Sequence, residues 1–336
     1  MRTAKYLVSA VLLLHFGVVQ ADALFESDQV IDITINGPFG KIGAQRDRTK
    51  MYPASLNYED QNFEVELSVR GHTRLVKKTC KYPPLWLGFK KNQIGGTLFD
   101  HQKHIKLVVQ CKARDSYADY LRSEYLAYKI YSLMTPMSFR VRWVNVTYVD
   151  GDKRRVEPAF FIERKARLAK RTGHKTSDAE KIRYAELHAE AATIATLYQY
   201  IVANPDFSFV ASPEGACCHN AKLFTDEKGK YTPVPYDFDS SGLINARYAV
   251  PNKALGINKV TTRLYRGHCM HNTYLEGTRQ AILSTEDNLI RLVSDDGLLG
   301  KKAKTKMTKF LKGSIEILRD DESFQSKVVK KCRGNA

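Results

Sequence analysis

Between residue 24 and about residue 110 the chain is patterned mostly as strands, and just beyond it the apolar spacing becomes helical. Val30 to Ile35 alternates, and Asn62 to Val69 sets Phe63, Val65, Leu67 and Val69 against polar neighbours, the pattern of a half-buried strand. Arg70-Gly71-His72-Thr73-Arg74 ends that strand, and Leu85 to Phe89 and His104 to Val109 read as two further apolar strands. From Tyr117 to Met134 the period is that of a helix, with Tyr120, Leu121, Glu124, Tyr125, Tyr128, Ile130 and Leu133 on one broad face and Pro136 as its stop. Phe139 to Val149 is strand again, Asp150-Gly151 is a hairpin turn, and Val156 to Glu163 is the returning partner.

The rest of the chain is mainly helical. Ser177-Asp178-Ala179-Glu180 reads as a capping box, from which a helix is expected to run to about Ala203. A loop-rich centre spans Asn204 to Pro251, with short strands at Ala221 to Phe224 and Tyr231 to Val234. Helices are expected at Thr273 to Val293, Gly300 to Leu318 and Glu322 to Lys331. A chain of 336 residues exceeds one ordinary core of about 150 residues. The expectation is therefore an α+β protein with a β-rich lobe over 24–164 and a mainly helical lobe over 165–336.

Residues 1–23 have the order of a cleavable export leader. Arg2 and Lys5 are positive, Tyr6 to Val19 is apolar apart from Ser9 and His15, and Ala21-Asp22-Ala23 offers small residues where a signal peptidase reads. An apolar run of 14 residues is shorter than the about 20 that a membrane span needs. No transmembrane segment is expected after cleavage, and the mature chain is expected to be secreted or periplasmic.

The formal charge of +17 favours anionic partners, such as an acidic protein or glycan. The basic residues are spread along the chain with no nucleic-acid motif, so nucleic acid is not expected. Six cysteines in an exported chain point to disulfides. Cys80 and Cys111 bracket a strand-rich segment and are the favoured pair. Cys217, Cys218, Cys269 and Cys332 allow two more bridges, with Cys217 and Cys218 each reaching a different partner. Cys217-Cys218-His219 and His268-Cys269-Met270-His271 contain metal-binding side chains, but their spacing matches no zinc pattern and oxidised thiols do not bind zinc.

The loop-rich centre gathers the residues with chemistry to offer. Asp206 follows the long helix, His219-Asn220 precedes a short strand, and Tyr236-Asp237-Phe238-Asp239 follows the next one. Phosphoryl transfer from a nucleotide needs a carboxylate to orient the attacking hydroxyl, oxygen ligands for magnesium, and a lysine fixed by a glutamate against the phosphates. Asp206 suits the first role. Asn220 and Asp237, assisted by Asp239, offer the hard oxygens that Mg2+ prefers. Lys106 lies within a strand and Glu124 lies in the helix after it, where the pair would contact the phosphates of ATP.

The run from Asp206 through His219-Asn220 to Tyr236-Asp237-Phe238-Asp239 resembles the spore-coat CotH kinase-like family and, more distantly, other atypical kinases. Arg70-Gly71 at a strand end and Glu163 closing the hairpin look like that family's landmarks. The resemblance implies a two-lobed, protein-kinase-like fold. The chain also resembles uncharacterised exported bacterial proteins with the segments Cys80-Lys81-Tyr82-Pro83-Pro84-Leu85 and Tyr265 to Cys269, which imply no activity. It departs from kinases in three respects. Asp206 and Asn220 are 14 positions apart, Phe238-Asp239 stands where Phe-Gly is usual, and neither Gly37-Pro38-Phe39-Gly40 nor Gly95-Gly96 makes a clear phosphate loop. A bacterial periplasm is poor in ATP, so two other functions stand beside the kinase reading. One is a non-catalytic binding or envelope-assembly protein, and the other is a metal-dependent phosphoesterase.

Overall fold

A computed structural model describes residues 22–211 and 217–334. The leader expected over 1–23 lies outside these residues apart from Asp22 and Ala23. In chain order the elements are β1 (Ile31–Asn36), α1 (Phe39–Gln45), β2 (Tyr52–Tyr58), β3 (Gln61–Val69), β4 (Leu85–Phe89), β5 (His104–Val109), α2 (Asp115–Met134), β6 (Val141–Asp150) and β7 (Lys153–Ile162). They continue as α3 (Lys165–Arg171), β8 (Lys175–Ser177), α4 (Ala189–Ile201), β9 (Ala221–Thr225), β10 (Tyr231–Pro235), α5 (Leu275–Ser284), α6 (Glu286–Ser294), α7 (Lys301–Arg319) and α8 (Asp321–Lys327).

The expected two-lobed, protein-kinase-like fold is overturned. The first seven strands close into a barrel in the order β1-β2-β3-β4-β5-β7-β6. Closure comes from β1, which pairs antiparallel with β2 on one side and parallel with β6 on the other, Ile31 opposite Val144 through Asn36 opposite Val149. Periodicity describes each strand singly, so a parallel pairing across more than a hundred residues leaves no trace in it. Closure also removes the free strand edges that an open sheet would have to protect.

Alternation fills the barrel as the sequence pattern demands. Ile31, Ile33 and Ile35 of β1 point inward with Phe63, Val65, Leu67 and Val69 of β3, and Phe63, Phe89, Phe99 and Phe161 pack against one another in the interior. The first half of β6 and the second half of β7 are buried on both faces. Val144, Val146, Ala159 and Phe161 face the barrel, while Val141, Trp143, Phe160 and Ile162 face outward onto α2. Through this wall α2 becomes the hinge of the structure's packing. Tyr125 meets Trp143 and Phe160, Tyr128 meets Phe238, and the Tyr198 hydroxyl of α4 donates to the Ala127 carbonyl at 2.5 Å.

Two helix expectations also change. Ser177 ends strand β8 instead of capping a helix, and Asp178 pairs with Lys165. The helix begins at Ala189, where the His188 ring accepts from the Ala191 N–H. The single helix expected at Thr273 to Val293 breaks at Thr285, whose hydroxyl donates to the Ile282 carbonyl and ends α5. β8, β9 and β10 form a separate antiparallel sheet. Among the described residues no helix is long and apolar enough to cross a membrane.

All six cysteines are bridged. Cys80–Cys111 is present, and so is Cys269–Cys332. Cys217 and Cys218 bond to each other, which corrects the expectation that each reaches a different partner.

Candidate functional site

Lys106, Glu124, Asp206, Asn220, Asp237 and Asp239 all line one cavity of about 570 Å3 between the barrel's outer face and the loops after α4 and β10. Lys106 projects from the middle of β5, between Trp86 of β4 and Ile162 of β7. Its ammonium lies 5.6 Å from the Trp86 ring and 4.7 Å from the Tyr236 ring, and it forms no ion pair among the described residues. The side chain opens partly onto the cavity but lies deep. Burial pulls its pKa down to about 7, Arg70 and Lys222 add to this, and Asp237 opposes it. Removal from water disfavours the charged form of a lysine.

Glu124 sits on α2 and is only 3% exposed. The expected Lys106–Glu124 pair is absent: the partner of Glu124 is Arg74, at 3.7 Å. Arg74 lies in the turn Thr73–Leu75 and also donates to the Val109 carbonyl. Burial, with Asp239 and Asp237 nearby, raises the Glu124 pKa well above its ordinary value despite Arg74. Burial works against the charge of Arg74, but Tyr248, Asp239, Glu124 and Asp237 outweigh it and raise its pKa.

Asp206 is positioned from below and from the side. Asn204, in the preceding turn, donates to Gln199 of α4 at 3.0 Å. Arg266 clamps the loop by donating to the carbonyls of Pro205 (2.5 Å) and Phe207 (2.7 Å). The chain then returns through an antiparallel bridge between Ser208 and His219, so that the 14-residue separation closes on itself. The Asn220 amide nitrogen donates to the Asp206 carbonyl at 2.7 Å, leaving the amide oxygen as the donor atom for a cation. The Asp206 carboxylate is 51% exposed, with His219 Nε2 at 3.3 Å and Asn252 Nδ2 at 3.1 Å. The His219 and Asn252 hydrogen bonds, the first the stronger, hold its pKa below the usual value.

Asn220 and Asp237 both adopt left-handed backbone, at φ 48° and φ 68°. Left-handed non-glycine residues are uncommon and cluster at functional sites. The Asp237 N–H donates to the Tyr128 hydroxyl at 2.9 Å, and this bond ties the turn after β10 to α2. Burial and the nearby Asp237 raise Asp239 to about 6, while Arg74, Tyr248 and Ser240 oppose the shift.

Several site residues did not stand out as such in the sequence. Lys222 and Tyr248 carry no motif, and Arg74 was visible only as part of a strand end; their surroundings in the fold give them a role. Arg70-Gly71 was visible as a strand end; both residues line the cavity, with Gly71 at φ 86°. Glu163 does not reach the cavity. It binds Arg171 at 3.0 and 2.9 Å and accepts from the Arg140 N–H.

Among the described residues no three His, Cys, Asp or Glu side chains form a metal-holding group. Asp237, Asp239 and the Asn220 amide are two carboxylates and one neutral oxygen. Magnesium bound by one or two carboxylates takes its remaining ligands from water and substrate phosphates, and these residues would supply the protein's share. The Asp239 pKa is raised chiefly by burial and secondly by the nearby Asp237, and a cation bound there would oppose both effects. Comparison with protein-family models and with curated proteins gives no match.

Proposed function

We propose that this protein is exported and that its cavity binds a magnesium–nucleotide phosphate and transfers a phosphoryl group to a hydroxyl of an acidic protein or glycan. The observation that carries this reading is that basic and acidic side chains line one cavity together. Lys106 is an enclosed cation with no anionic side chain paired to it, and Arg70 and Lys222 lie on its side. Asp237 and Asp239 line the same cavity, with Asp237 within electrostatic range of both Asp239 and Lys106. A phosphate chain bridging from the lysine to a cation on the aspartates would satisfy both halves at once.

Magnesium held by Asp237, Asp239 and Asn220 would supply charge neutralisation at the phosphates. The rest falls to side chains. Lys106, charged below its pKa of about 7, binds a phosphate oxygen. Arg74 keeps Glu124 and Asp239 from repelling the incoming phosphates. Asp206, half-exposed at the mouth and held ionised by His219 and Asn252, accepts a hydrogen bond from the acceptor hydroxyl. Its low pKa suits orientation of that hydroxyl more than early removal of its proton.

Transfer of labelled γ-phosphate from ATP to acidic protein and glycan acceptors tests the proposal. Labelled acceptor that depends on magnesium and is lost in Asp206→Asn supports transfer. Phosphate release with no acceptor would favour a phosphoesterase. Binding of nucleotide without turnover of either kind would leave a binding protein.

A further inference from the structure

Asp22 belongs to the folded body. It is 5% exposed, with Gln102 Nε2 donating to one carboxylate oxygen at 2.7 Å and Arg167 Nε donating to the other at 3.0 Å. Gln102 is fully buried, and its amide nitrogen makes no other hydrogen bond among the described residues. The Asp22 carbonyl accepts from the Phe25 N–H at 2.8 Å and so closes the turn Ala23–Phe25. That turn carries Leu24 and Phe25 into the barrel core, Leu24 with no exposed surface.

Cleavage after Ala23 conflicts with each of these contacts. It would remove the acceptor from Gln102 and the carboxylate from Arg167. It would also put a charged α-ammonium on the nitrogen of Leu24, a residue out of contact with water, and burying such a charge is costly. The sequence offers a second reading frame for the peptidase two residues earlier. Val19 and Ala21 are both small enough to stand third and first before the cut, with Gln20 between them.

We infer that the leader is removed between Ala21 and Asp22, so that the mature chain begins at Asp22 and its side chain anchors the new terminus to Arg167 and Gln102. The reaction is hydrolysis by a signal peptidase. Water adds across the Ala21–Asp22 peptide bond, Ala21 leaves as a carboxylate, and the Asp22 nitrogen keeps the bonding pair and becomes an ammonium. The new ammonium also arises on an enclosed residue, but unlike one on Leu24 it has a counter-charge in the Asp22 carboxylate beside it, with Arg167 and Glu163 both within electrostatic range. The packing explains why the frame matters. The Asp22 contacts survive only when the cut lies before that residue.

The inference rests on the export reading and is tested apart from it. The full chain is expressed in a bacterial host with its own leader, and the folded product is read by intact mass and N-terminal sequencing. The expected terminus is Asp-Ala-Leu-Phe. A terminus at Leu24 overturns the inference and leaves export standing, whereas a chain that retains Met1 overturns both. Two variants sharpen the result. Ala21→Tyr is expected to block processing and accumulate precursor at least tenfold. Ala23→Tyr, at an exposed position, is expected to leave the cut unchanged. The reverse pattern would overturn the inference.

Discussion

At the scale of the residue, two groups titrate inside the cavity near neutrality. Burial lowers Lys106 from 10.5 to about 7, and burial with Asp237 raises Asp239 from 3.8 to about 6. Between pH 7 and 10.5 the unfolded chain holds a proton on this lysine that the native state lacks, so this group's contribution to stability rises with pH there. Between pH 3.8 and 6 the native state holds the Asp239 proton that the unfolded chain lacks, so that contribution falls as pH rises. The ligand-free protein is therefore expected to lose stability from both groups in the window between them. Denaturant unfolding across pH checks this: the rise above pH 7 is expected to flatten in Lys106→Met. Nucleotide binding has the opposite profile, because it needs the lysine charged and Asp239 ionised. Affinity is expected to peak between pH 6 and 7 and to fall about tenfold per unit outside it, as measured by calorimetric titration. The sequence made these residues visible as a kinase-like order of side chains. It gave no sign that Glu124 pairs with Arg74 and that Lys106 is left over, because both facts depend on how the turn Thr73–Leu75 folds against α2.

At the scale of the element, α2 does most of the organising. It covers the outer face of β6 and β7, carries Glu124 into the cavity, and holds the Asp237 turn through Tyr128. Tyr128→Phe would leave the Asp237 N–H without its acceptor and is expected to cost about 1–3 kcal/mol of stability. The same variant should weaken magnesium-dependent binding more than magnesium-free binding, which paired titrations would separate. Arg122 anchors the other end of the contact, bonding Asp296 at 2.6 to 3.2 Å with both side chains nearly enclosed. Arg122→Ala is expected to cost about 3–5 kcal/mol in chemical denaturation, since it leaves Asp296 a buried charge. Element types were legible wherever periodicity was strong, and β3, β5 and α2 match their expected spans closely. Legibility failed at Ser177, where a capping-box pattern lies at the end of a strand. The residue pattern is the same in both settings, and only pairing of Lys175 to Ser177 with β9 decides between them.

At the scale of the whole molecule, the barrel and the helical layer are each tied by a disulfide. Cys80–Cys111 encloses a separation of 31 residues beside β5, and Cys269–Cys332 encloses 63 residues spanning α5 to α8. Loop-closure entropy makes each worth about 4 kcal/mol, whereas the adjacent pair Cys217–Cys218 closes almost no loop. Cys269→Ser with Cys332→Ser is therefore expected to lower the denaturation midpoint far more than Cys217→Ser with Cys218→Ser. Barrel closure was the largest feature hidden from the sequence, because β1 and β6 meet in parallel across the middle of the chain. The gathering of Lys106, Asp206, Asn220, Asp237 and Asp239 into one cavity depends on that closed wall, and the functional account depends on that cavity. The most direct test is thermal unfolding of the oxidised protein with ATP and magnesium together, beside Asp237→Ala. A ligand that binds only the folded state adds about 2.7 kcal/mol at a hundred times its dissociation constant. The account predicts a rise in midpoint that needs both ATP and magnesium and is absent in Asp237→Ala. No rise at millimolar ATP with magnesium, in two well-folded proteins, would contradict it.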